Sequence, residues 1–335
     1  MRKLMILLIS VLMFSGCTPK QAEPVSQTSF LLNTISTISV YNMPEEKANK
    51  IIEDTFALCS EYENKLSKTI SSSEISKINS SNGEWVEVSD ETAELINLSL
   101  KYSEISNGKF DITISPVTDL WDFNGNGSKK PAEHEIAEAL KHVGYENIEI
   151  SGNKIRLSDP KASIDLGGIA KGFIGDKAKE FMLENGVSKA IISLGGNILL
   201  IGPEDEDPLF SVGIQEPFSQ TGVLFGKLYL KDTSVVTSGV YERFLYDNNT
   251  LYHHILDTNT GYSANTGLNS VTIISSSSAD ADALSTTCFL LGAEKGMELI
   301  ENTDDTEAVF ITDKNEPIYS SGINKTIKFE TVNNQ

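Results

Sequence analysis

Arginine is almost missing from this 335-residue chain. Only Arg2, Arg156 and Arg243 occur, and 27 Lys+Arg face 47 Asp+Glu, for a formal charge of −20. A protein that grips a phosphate backbone needs a basic face, so nucleic-acid partners are excluded. Cysteine is equally scarce. Cys17, Cys59 and Cys288 lie far apart with no CxxC spacing, which argues against a zinc site. Histidine occurs four times, so an adjacent pair stands out. Low-complexity tracts, internal repeats and long linkers are absent as well. What is present, 39% hydrophobic residues against 22% charged, suffices to bury a core and excludes a disordered chain.

The amino terminus reads MRKLMILLISVLMFSGC. Arg2 and Lys3 precede an apolar run at residues 4–14, then small residues and Cys17: the order of a signal peptide. The run is too short to remain as a spanning helix, which needs about 20 residues. It resembles a bacterial lipoprotein signal, apart from Phe14 where leucine is usual. That resemblance implies removal of residues 1–16, lipidation of Cys17, a flexible tether over residues 17–30 and a place on the extracytoplasmic face of a bacterial membrane. Ordinary secretion with cleavage nearby is the alternative. Losing Arg2 and Lys3 moves the charge from −20 to −22. Cys59 and Cys288 fall on predicted helices and read as buried free thiols.

Residues 34–41 (TISTISVY) alternate as a strand, and Pro44 opens a helix with Ala48, Ile51, Ile52, Thr55, Cys59, Tyr62 and Leu66 at three- and four-residue steps. Asp90 is the expected cap of a second helix carrying Leu95, Ile96, Leu98, Tyr102 and Ile105, stopped by Asn107 and Gly108. Loops are expected at residues 124–131 and at the acidic stretch 204–207. A short strand at 162–164 leads into a helix over 169–184. Strands at 190–193 and 197–201, a strand-rich region over 210–274 and helices near 280–291 and 293–301 follow. This order lacks strict βαβ alternation. It predicts an α+β fold, a single compact unit over residues 31–330 with a mixed, mainly antiparallel sheet and packed helices.

Five windows carry chemistry. DLGGIAKG (165–172) places two glycines and Lys171 at a helix start, where free N–H groups favour anions, although a tight packing turn reads the same way. SLGGN (193–197) follows an apolar strand and on its own is a hairpin turn. In TSGVYERF (237–244) Arg243 could grip a carboxylate or phosphate, or stand on an exposed edge. HHILDTNTG (253–261) offers His254 as a candidate base and Asp257 as a carboxylate; taken alone, the window reads as a strand with a half-buried packing histidine. In SSSSADADALSTT (275–287), Asp282 and Thr286 sit four apart on a helix and share a face. A carboxylate with a hydroxyl suits a hard cation such as Mg²⁺, or the run is simply a helix start rich in capping residues, Asp280 among them.

Taken together and in order, these windows resemble the ApbE family of FAD:protein FMN transferases, as do SEISKIN (73–79) and FDITISPVTDLW (110–121). The likeness runs from about residue 31 to the end of the chain. It implies Mg²⁺ on the Gly168 carbonyl, Asp282 and Thr286; alanine is common at the Gly168 position, which a carbonyl ligand tolerates. It implies FAD contacts at Leu32, Leu120, Trp121, Asp165, Lys171, Ile255 and Leu256, with His254 as general base. Two positions depart from the family: Leu32-Asn33-Thr34 replaces Met-Gly-Thr, and Thr69 stands where many members carry a tyrosine beside the flavin. The implied reaction is Mg²⁺-dependent transfer of FMN from FAD to a Ser/Thr hydroxyl of an acceptor protein, such as a subunit of a membrane redox complex, with release of AMP. A Mg²⁺-dependent FAD pyrophosphatase and a flavin-storing lipoprotein are the rivals.

Overall fold

The computed structural model describes residues 23–121, 123, 129–202 and 209–332. The leader, Cys17, the start of the tether, most of the 124–131 loop and the acidic stretch 204–207 lie outside these. Strands β1 (Val25–Leu31) and β2 (Thr34–Val40) form a hairpin. Helices α1 (Glu45–Leu66) and α2 (Glu74–Asn79), strand β3 (Val86–Glu87) and helices α3 (Asp90–Ile105), α4 (Ser115–Thr118) and α5 (Glu133–Ala139) follow. Next come β4 (Ile148–Ser151), β5 (Lys154–Leu157), α6 (Ala170–Glu184), β6 (Ala190–Leu194) and β7 (Asn197–Ile201). The strand-rich region holds β8 (Phe210–Gln215), β9 (Leu224–Leu230), β10 (Ser234–Gly239), β11 (Phe244–Asp247), β12 (Thr250–His253) and β13 (Leu268–Ser275). The chain closes with α7 (Ser278–Leu291), α8 (Ala293–Glu301), β14 (Thr306–Thr312), β15 (Pro317–Tyr319) and β16 (Lys328–Thr331).

Eight strands form the central sheet in the order β1-β2-β6-β7-β10-β13-β14-β15, every neighbouring pair antiparallel. The α+β expectation therefore holds, and parallel pairing is confined to isolated bridges such as Ile114 with Ser163. That bridge is all that remains of the strand expected at 162–164. One sheet face is covered by α1, α6 and α7 through Ile38, Ile52, Phe173, Val271, Ile273 and Phe289. The small sheet β16-β9-β8 covers the other through Phe210, Leu228, Val235, Ile274 and Ile311. β13 is consequently buried along its whole length. This two-sided cover explains why LNSVTIIS does not alternate.

α1 buries the seven residues its spacing picked out. Ser89, not Asp90, caps α3, its hydroxyl accepting from the Thr92 N–H. The tether is shorter than expected, because β1 starts at Val25 and pairs with β2 from Val25–Val40 to Leu31–Thr34. The turn between them is Leu32-Asn33, both at φ +56°. A two-residue hairpin of the mirror-image type demands positive φ at both positions, and leucine gives no sign of it in the sequence. Both cysteines of the described region are buried free thiols, with Cys59 pushed up to about 12 by burial. No described helix is long and apolar enough to cross a membrane.

Candidate active site

A cavity of about 620 Å³ opens between the start of α6, the middle of α7, the ends of β7 and β10, and the segment after β12. That is an ordinary size for a small-molecule site. Leu32, Trp121, Asp165, Gly168, Lys171, His254, Ile255, Leu256, Asp282 and Thr286 all line it, so residues 250 positions apart in sequence meet on one wall. Leu120 does not; it is half-buried in the neighbouring cluster with Val117, Ile136 and Leu245. Thr69 lines the cavity too, its hydroxyl 2.9 Å from that of Ser67.

The floor is set by the closest approach of α6 and α7. A Cβ on Gly172 would lie 2.1 Å from the Ser278 carbonyl oxygen and 2.8 Å from the Asp282 Cβ. The bare backbone instead lets the Gly172 N–H donate to Asp282 Oδ2 at 2.8 Å. Asp282 is only 3% exposed, and its Oδ1 lies 3.6 Å from the Lys171 ammonium. Gly172→Ala should accordingly force the helices apart and cost about 3 kcal/mol, read as a lowered urea midpoint at unchanged slope. An unaltered midpoint would contradict the tight crossing.

Thr286 lies one turn on, its Oγ1 3.2 Å from the Ser238 hydroxyl, which also meets Ser285 at 2.7 Å. A Cβ on Gly168 would lie 3.8 Å from Thr286 Oγ1, which brings the DLGG turn beside α7. Asp280 points elsewhere: its Oδ1 accepts from the Tyr102 hydroxyl at 2.5 Å, and Ser277 is the cap of α7. The Asp176 carboxylate adds bonds from the Ser278 and Ala279 N–H groups at 2.9 Å each. Among the described residues no three His, Cys, Asp or Glu side chains gather. A cation here would rest on one carboxylate, one hydroxyl and a main-chain carbonyl. That all-oxygen set fits Mg²⁺, and a buried carboxylate with one oxygen left for a lysine at 3.6 Å fits a second positive charge.

Asp165 does not cap α6. Its Oδ1 accepts from the Gly167 N–H at 2.8 Å and its Oδ2 pairs with Lys68 at 2.9 Å. Lys68 also reaches Asp119 at 2.7 Å and the Ser115 and Thr118 hydroxyls at 3.1 and 3.0 Å. Burial opposes its charge, yet the two carboxylates hold its pKa above the usual lysine value. Nothing in the SKTI segment marked this lysine; only the fold brings it 97 residues along the chain to Asp165. Trp121 is fixed by donating Nε1–H to the Gly261 carbonyl at 3.0 Å and stacks on Phe123.

His253 ends β12, and His254 is the first residue after the strand. His253 is the packing histidine, edge-on to Phe289 with Nε2 on the Ala264 carbonyl. His254 faces the cavity, its Nδ1 3.3 Å from the Arg243 carbonyl. A carbonyl only accepts, so the proton sits on Nδ1 and Nε2 is left with a lone pair. Burial first, then the Arg243 guanidinium and His253, push its pKa down to about 3. Asp257 does not serve it; that carboxylate pairs with Lys109 at 2.8 Å.

A recessed cavity walled by a buried carboxylate, a hydroxyl, a lysine at a helix start and a neutral histidine is that of an enzyme. A model of the ApbE family matches residues 32–310, and the chain belongs to that family. It is 31% identical over 299 residues to a FAD:protein FMN transferase of Klebsiella pneumoniae, spanning 88% of this chain and 92% of that one. A Treponema pallidum protein of the same name is 30% identical over 315 residues, spanning 89% and 87%. Among solved structures, the ApbE protein of Thermotoga maritima matches with a TM-score of 0.81 at 32% identity, over 89% and 97% of the two chains. The flavin transferase ApbE of Vibrio cholerae gives 0.79 at 25% identity, over 89% and 97%.

Proposed function

We propose that this protein transfers FMN from FAD to a Ser or Thr hydroxyl of an acceptor protein and releases AMP. The observation that carries the reading is the convergence of Asp282, Thr286, Lys171 and His254 on one cavity. The acceptor oxygen attacks the FMN-side phosphorus of FAD, a phosphoester forms, the pyrophosphate P–O bond breaks and AMP departs with the electron pair. His254 Nε2 takes the hydroxyl proton as that bond forms. Lys171, in the first turn of α6, offers positive potential to the phosphates, whereas the N–H groups of Ile169, Ala170, Gly172 and Phe173 are already bonded within the fold. Asp282, Thr286 and the Gly168 carbonyl would hold Mg²⁺, which when bound neutralises phosphate charge. Asp165, kept in place by Lys68, and Trp121 shape the wall the dinucleotide lies against.

The test incubates the protein with FAD, Mg²⁺ and a domain bearing a Ser/Thr acceptor segment, reading AMP release and the acceptor's mass. AMP in step with a covalent flavin adduct, and little AMP without acceptor, is the expected result. Rapid FMN and AMP release with no adduct would make the enzyme a pyrophosphatase instead.

The pH profile follows from the depressed His254. Above about 3 the imidazole is neutral and competent, and it is lost as pH falls through that value. The acid limb of kcat/KM, which reports the free enzyme, should thus be missing from the ordinary histidine range near 6.5. An acid limb at about 6.5 that His254→Ala removes would overturn this environment for the residue.

A further inference from the structure

Asn197, which opens β7 in the SLGGN window, carries a feature that transfer chemistry has not yet used. It is 1% exposed, and its Nδ2 amide has no hydrogen-bond partner among the described residues. Buried polar groups are nearly always satisfied, and an orphaned donor destabilises the empty fold. This one borders the cavity. Asn197 is paired directly with Val236 on β10, so the two side chains share the sheet face turned toward α7. Ser238, two residues beyond Val236, is on that face and bonds the Thr286 hydroxyl. The orphaned amide and the Asp282–Thr286 pair thus flank the same end of the cavity.

We propose that Asn197 binds phosphate: its Nδ2–H₂ donates to a phosphoryl oxygen of the FAD pyrophosphate, on the sheet side of the group that α7 flanks from the other. This rests on the flavin-transfer reading. A phosphoryl oxygen is the acceptor the donor needs, and its negative charge makes the bond stronger than one to a neutral group. The turn residues Gly195 and Gly196, at φ +58° and +108°, reverse the chain immediately before Asn197 and put it at the cavity edge and not deeper in the strand.

The experiment measures FAD affinity by flavin fluorescence in EDTA, without turnover, together with the melting temperature of the ligand-free protein. Asn197→Leu keeps the γ-branched skeleton, with bulkier methyl ends that the bordering cavity can take up, and removes the donor. It is expected to bind FAD about 10-fold more weakly or worse while the empty protein melts at or above the wild-type temperature, since the orphan is gone. Asn197→Asp keeps the shape but turns a negative charge toward the phosphates and should lose more affinity still, which secures the answer if the leucine variant fails to fold. Unchanged FAD affinity in the folded variants would overturn the proposal, as would a lower melting temperature with wild-type affinity, the mark of a structural residue. Failure of the wild-type protein itself to bind FAD would bring down the flavin reading, and this inference with it.

Discussion

Asp282→Asn is expected to reduce flavin transfer by at least ~10³-fold while leaving a folded protein. The change keeps the side-chain volume and an oxygen to accept from Gly172 N–H, the 2.8 Å bond that ties α7 to α6. What it removes is the carboxylate charge on α7, four residues before Thr286 and 3.6 Å from the Lys171 ammonium. Lys171 would lose this partner, and a cation cannot supply the negative charge that is lost. Asp280→Ala is the control. It forfeits the Tyr102 hydrogen bond and a weaker contact to Lys101, costing about 1 kcal/mol of stability with transfer intact. Adduct formation by the Asn variant at the wild-type rate, read by acceptor mass, would remove Asp282 from the reaction.

His254→Ala should slow transfer by about 10²–10⁴-fold, the usual worth of general-base catalysis. FAD should still bind, because His254 is cast as the base and not as a flavin contact, and its imidazole is held by the Arg243 carbonyl. The base is a weak one: its low pKa leaves it neutral at working pH, and negative charge from the phosphates beside it would raise its basicity. Single-turnover transfer with preloaded FAD separates the step from binding. A loss confined to FAD affinity, with the single-turnover rate kept, would recast the residue as a binding group.

Most of the helices were legible because their apolar spacing has one reading. α1, α6 and α8 have a solvent face and a core face, and Ile51, Ile52 and Leu66 fall where the period demands. Of the residues the motifs singled out, Leu32, Trp121, Asp165, Gly168, Lys171, Arg243, His254, Ile255, Leu256, Asp282 and Thr286 line the cavity, whereas Leu120 and Asp257 do not. The losses share a cause: they depend on contacts far apart along the chain. Lys68 gains its meaning from Asp119 and Asp165, and Asp257 loses its expected partner to Lys109. β1 escaped notice because residues 26–29 are four polar residues in a row, which hides any alternation, and because the strand lies at a sheet edge, where one face needs no burial.

The hairpin of β1 and β2 is synthesised well before its neighbour in the sheet, β6, where Thr37 lies against Ser193. No local strand can stand in for β6. For the time it takes to make or export about 150 further residues, β2 has one row of main-chain groups without its lasting partner, flanked by Phe30 and Ile35, which stay 72% and 68% exposed even in the finished fold. Closing a loop of that length before any sheet contact rewards it makes assembly slow and leaves a sticky edge open meanwhile. A chain built in this order is one whose early half gains from being shielded until its middle arrives.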